Sequence, residues 1–145
     1  MEEKLIFPYF TRQMAFNIGT RIAKKVLDNH LRVTVDIYLG SQQLYHFAGE
    51  NTTYDQDEWI RRKRNVVMRF CMSSYEMALK LEKQNMTLYQ KYTLDPKDYV
   101  AAGGSVPIII RDVGVVGAIT CAGLSSLEDH QLVCEAMKKE LEELS

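Results

Sequence analysis

The stretch Leu31-Arg32-Val33-Thr34-Val35-Asp36-Ile37-Tyr38-Leu39-Gly40-Ser41-Gln42-Gln43-Leu44-Tyr45-His46-Phe47-Ala48 decides the fold. From Leu31 to Leu39 apolar and polar residues alternate, so Val33, Val35, Ile37 and Leu39 share one face and Arg32, Thr34, Asp36 and Tyr38 the other. That period of two predicts a half-buried strand. Gly40-Ser41-Gln42-Gln43 reads as a turn and Leu44 to Ala48 as a returning strand, which makes an antiparallel hairpin. A second hairpin is expected later, from Val106–Arg111, the turn Asp112-Val113-Gly114, and Val115–Cys121.

Helices surround the hairpins. Phe10 to Asn29 repeats Ala15, Ile18, Ile22 and Val26 at helical spacing. A long helical segment runs from about Gln56 to Tyr75 and resumes over Met77–Lys83, with a bend near Ser73-Ser74. Asn85 to Asp98 reads as mixed and irregular. A last helix begins at Ser126, where Ser126 and Asp129 have the spacing of a cap. Tight turns join only antiparallel neighbours, so the order predicts an α/β domain with an antiparallel sheet of about five strands flanked by helices.

The chain has 145 residues, one domain by length, 1–145. Its 18 basic and 19 acidic residues leave a net charge of -1, so no global field draws it to nucleic acid or to an anionic membrane. The N-terminus lacks the apolar run of a secretory signal, and no window is apolar enough to span a membrane, so the expected location is cytoplasmic. Cys71, Cys121 and Cys134 form no CxxC pair and read as small buried hydrophobes, and no cysteine metal site is expected.

The informative helix begins Trp59-Ile60-Arg61-Arg62-Lys63-Arg64. Four successive cations point almost all the way round a helix, so they make no nucleic-acid stripe. At 100° per residue Ile60, Val67, Phe70, Cys71 and Ser74 share a side, and Lys63 falls near its middle. A buried ammonium needs either a carboxylate, for which Asp57 is the nearest choice, or an anionic ligand. Gly103-Gly104 allows close backbone approach and offers N–H groups to an anion. His46 sits on the second strand, His30 at a helix end and His130 in the first turn of the last helix; no two have metal-ligand spacing, and no metal site is expected.

Trp59-Ile60-Arg61-Arg62-Lys63, Phe70, Ser73-Ser74, Gly103-Gly104-Ser105-Val106-Pro107-Ile108, Gly117-Ala118-Ile119-Thr120 and Gly123-Leu124 with Glu128-Asp129-His130 together resemble the haem-degrading-domain superfamily. That superfamily includes GlcG-like and HbpS-like proteins and the C-terminal domain of PduO, and the resemblance covers about residues 5–142. It implies a profilin-like fold, homodimers or larger homo-oligomers, and haem as a cofactor or ligand in some members. Two positions depart from the pattern: Ala102 stands where histidine usually precedes the glycines, and Ala122 where serine usually precedes Gly-Leu.

The expected site is a pocket beside the long helix. Lys63 and Arg64 supply cations, Gly103 and Gly104 a backbone anion site, and Ser74 and His130 polar walls. Three functions fit: binding or breakdown of haem or a related tetrapyrrole; a metal-free enzyme or sensor for a small carboxylate or phosphate; and a non-catalytic assembly protein.

Overall fold

A computed structural model describes residues 4–144. Its elements run β1 (Ile6–Phe7), α1 (Arg12–Asp28), β2 (Thr34–Leu39), β3 (Gln42–Ala48), α2 (Tyr54–Phe70), α3 (Ser74–Gln84), α4 (Leu88–Tyr92), β4 (Ser105–Ile110), β5 (Gly114–Ala122) and α5 (Ser126–Glu143). The five strands form one sheet in the order β1-β4-β5-β2-β3. Both expected hairpins are present, and β2 also pairs antiparallel with β5, bringing the two hairpins side by side. The short β1 departs from the expected all-antiparallel sheet: it lies parallel to β4, Ile6 opposite Ile109 and Phe7 opposite Ile110. Two residues carry too little alternation to read as a strand.

Helices α1 and α5 cover one face of the sheet and α2 the other. The larger core lies under α1 and α5, where Ile18, Ile22, Val33, Val35, Ile37, Ile108, Ile119, Val133 and Met137 are fully or almost fully buried. β2 is therefore buried on both faces, not half-buried: Thr34 and Asp36 lie beneath α2 and are buried like Val33 and Val35 on the other face. Small side chains on this second face let α2 approach closely. Ser105 and Thr120, 2.8 Å apart between hydroxyl oxygens, satisfy one another there. A smaller core of Val66, Met77, Leu81, Leu88 and Leu94 joins α2 to α3 and α4.

The long helical segment breaks one turn earlier than its pattern indicates. Cys71 adopts a left-handed conformation (φ 57°) and ends α2, and Ser73 caps α3 by accepting a bond from the Glu76 amide. Ser74 therefore belongs to a different helix from Lys63, and Cys71 is exposed; of the three cysteines only Cys121 is fully buried. Residues 88–92, expected to be irregular, form the short α4, capped by Thr87 and Gln90. The α5 cap is also one residue earlier than expected. Ser125 accepts from the Glu128 amide, and Glu128 reaches back to the Ser125 amide. Glutamate spans that box where aspartate is too short, and this releases Ser126 and Asp129 for other contacts.

Candidate functional site

Helix α2 starts at a clamp. Thr53 donates its amide to the Gln56 side chain, whose amide group in turn donates to the carbonyls of Arg32 (2.9 Å) and Ala122 (3.0 Å). One glutamine thus ties the entry to β2 and the end of β5 to the first turn of α2. With that end fixed, Lys63 lies two turns along, over β5, and is 4% exposed.

Its ammonium donates to the Cys121 carbonyl (3.0 Å) and to Asp129 Oδ2 (3.1 Å). The other Asp129 oxygen accepts from the Leu124 amide (3.0 Å). The inward turn of Lys63 is as its helical position predicts, but the partner is Asp129, from the far end of the chain, not Asp57. Asp57 instead holds His46, 2.7 Å away. The diglycine bend closes over this pair. Gly104 has φ 138°, and a Cβ there would sit 2.8 Å from the Lys63 nitrogen. Gly103 donates its amide to the Ser126 hydroxyl (2.6 Å), so that N–H already has a partner.

Beside the pair opens a hollow of about 400 Å3. Lys63, Asp129, Gly103, Ala102, Ala122 and Gly123 line it together with Trp59 and Arg32. Trp59 is 39% exposed, with the Arg62 guanidinium carbon over its ring, 4.8 Å from the ring centre. Arg32 is exposed and forms no ion pair among the described residues. Ala102 and Ala122, the two departures from the family pattern, are both in this wall.

The other expected site residues lie elsewhere. Arg64 points to the opposite flank of α2, where it bonds Asp36 (2.9 Å) and covers the Tyr38 ring. Neighbours on a helix diverge by 100°, so Lys63 and Arg64 do not share a cleft. Ser74 is buried and accepts from the Ser105 amide (3.0 Å), a tie between α3 and β4. His130 stacks on Tyr75, ring centres 4.9 Å apart, with Nε2 3.5 Å from the Cys134 sulfur. Burial, with a smaller contribution from Lys138, lowers its pKa. Of the expected residues, then, Lys63, Gly103 and the close-packed Gly104 are brought together. Asp129, Arg32 and Gln56 are site residues that the sequence reading missed. The available signal for Asp129 was the demand of a buried lysine for a carboxylate.

A family model described as haem degrading protein HbpS-like matches residues 10–138. A UPF0303 protein of Edwardsiella ictaluri is 44% identical over 138 residues, 95% of this chain and 88% of the relative. The crystal structure of Ybr137w protein superposes with a TM-score of 0.87 at 31% identity, covering 96% of this chain and 83% of that one. A PduOC:heme complex shares the fold with a TM-score of 0.73 at 14% identity, covering 89% and 93%.

Proposed function

The chain belongs to the HbpS-like haem-degrading family, and from that membership and the Trp59 hollow we propose that it binds a flat organic carboxylate, with tetrapyrroles the class to which its relatives point. The observation that carries this reading is that one open hollow is lined both by a half-exposed indole and by an arginine that has no ion pair among the described residues. Indole faces favour flat ligands, and a guanidinium grips a carboxylate with two parallel bonds. Lys63 is already engaged by Asp129, so its part is to hold the floor in shape. The volume falls within the range of small-molecule sites, and its openness to solvent leaves room for one edge of a larger ring system.

The lining does not fit a ligated haem iron. Axial ligands are histidine, cysteine, methionine or tyrosine side chains, and none of these lines the hollow. His46 lies on the other flank of α2, and His130 packs between Tyr75 and Cys134. No haem-breaking step follows from these residues, and a tetrapyrrole bound here is held by its face and its carboxylates.

Absorbance titration with haemin and with metal-free protoporphyrin tests the reading. Both should bind with similar affinity. Arg32→Ala and Ala102→Phe should each weaken them about tenfold, roughly the worth of one charge-assisted contact. Haemin binding that needs iron and is lost in His46→Ala, with Ala102→Phe silent, would place the ligand elsewhere. Homo-oligomers in the cytoplasm belong to the same proposal, and light scattering on the purified chain tests the assembly.

A further inference from the structure

On the other flank of α2 a second hollow of about 390 Å3 opens between the hairpin β2–β3 and the first half of the helix. Two ion pairs, Arg64 with Asp36 and Arg61 with Glu58, and the hydrogen-bonded His46 and Asp57 frame it. Asp36 and His46 are direct cross-strand partners, so the sheet register itself places them on the same wall. Asp36 and Glu58 each face an arginine, Arg61 also reaches Asp98 at 3.0 Å, and Asp57 is held by the His46 ring.

Arg64 is the component built with most restraint. Its guanidinium carbon lies over the Tyr38 ring, 3.7 Å from the ring centre, and one nitrogen donates to Asp36 Oδ2. The side chain is only 14% exposed. A guanidinium has five N–H donors, and the described residues supply it with that one hydrogen bond. The tyrosine ring and the aspartate together restrict where the guanidinium can sit. Such a guanidinium can take a bidentate oxyanion without losing further side-chain freedom. Asp36 behaves as a positioning residue, 4% exposed, with its Oδ1 unbonded within the described structure. An anchor this costly to bury has a purpose if the arginine it orients has a ligand.

We propose that Arg64, held by Tyr38 and Asp36 and flanked by His46, forms a second binding site that takes the oxyanion group of a small carboxylate or phosphate. The site is separate from the Trp59 hollow and independent of what binds there. Selectivity comes from the paired N–H donors of the guanidinium, and chloride at equal ionic strength is a poor substitute.

The test is nitrogen-detected NMR of the arginine side-chain and histidine ring signals of the full chain, titrated with sodium acetate and, separately, with sodium phosphate. Sodium chloride at matched ionic strength is the control. A saturable movement of the Arg64 and His46 signals with acetate, phosphate or both supports the site, and the more effective anion gives the ligand class. Arg64→Lys should weaken it at least tenfold, and Tyr38→Leu, which removes only the platform, several-fold. Ala102→Phe should leave it unchanged. If neither anion moves these signals beyond the chloride control, or if both variants bind as well as the parent chain, the proposal is overturned.

Discussion

The Lys63 ammonium lies 3.1 Å from Asp129 Oδ2, both side chains are at most 5% exposed, and the pair joins the middle of α2 to the first turn of α5. The residues are 66 apart in sequence. Burial removes both charges from water, and each is tolerated only while the other is present. Removing one partner should therefore cost about 3–5 kcal/mol. Lys63→Met and Asp129→Asn are expected to fall in that range in urea unfolding. The double variant should be less destabilised than the sum of the two, a coupling that a double-mutant cycle measures. Additive losses would mean that the ion pair is not what holds the two helices together.

Gly104 adopts φ 138° with Cys121 and Lys63 against the place where a Cβ would be. Gly104→Ala combines backbone strain with a steric clash on the ammonium. A loss of at least about 2 kcal/mol is expected, and the sharpest change in amide exchange should fall at Cys121 and Leu124. A near-neutral substitution would show that the bend relaxes without disturbing the pair.

Ser125 and Ser126 offer a contrast between adjacent residues of the same type. Ser125 caps α5, so Ser125→Ala should cost about 1 kcal/mol. Ser126 accepts the Gly103 amide, so Ser126→Ala leaves a largely buried donor without its partner, at about 1–3 kcal/mol. Only the second substitution should also alter the Trp59 hollow, which Ser126 and Gly103 line. Unfolding curves paired with the chemical shift of the Gly103 amide separate the two.

Burial raises the Asp36 pKa from an ordinary 3.8 to about 6, with Arg64 opposing the rise. In that interval the folded chain holds a proton that the unfolded chain has released. The contribution to stability is full below about pH 4 and is lost as pH climbs through 6. The rise corresponds to about 3 kcal/mol. Asp36→Asn, which keeps an acceptor for Arg64 and carries no charge, should gain on the parent chain between pH 4 and pH 7. Denaturant midpoints across that range check this, and a constant difference between the two proteins would contradict it.

Much of the fold was legible because the hairpin strands and α1 keep their periods cleanly. The inward turn of Lys63 was legible for the same reason, since a wheel needs only local geometry. What failed depended on distant or neighbouring competition. Asp57 is closer to Lys63 in sequence, but it is taken by His46, and Asp129 arrives only once β5 and α5 are in place. Ser126 has the spacing of a cap, but Ser125 with the longer Glu128 fills that role. Arg64 adjoins Lys63 in sequence and invites the same role, but the helix sends them to different flanks. Asp36 reads as the polar side of a half-buried strand until α2 covers it.

Trp59 is the chain's one tryptophan, so its emission reports directly on the hollow. The most direct measurement is a fluorescence titration of Trp59 with sodium benzoate as a minimal flat carboxylate, repeated in Ala102→Phe, Arg32→Ala and Arg64→Lys. The expected result is a saturable change in the parent chain, at least tenfold weaker in the first two variants and unaltered in Arg64→Lys. Emission that does not respond, or that responds equally with the hollow filled by phenylalanine, would contradict the assignment of this hollow as the binding site.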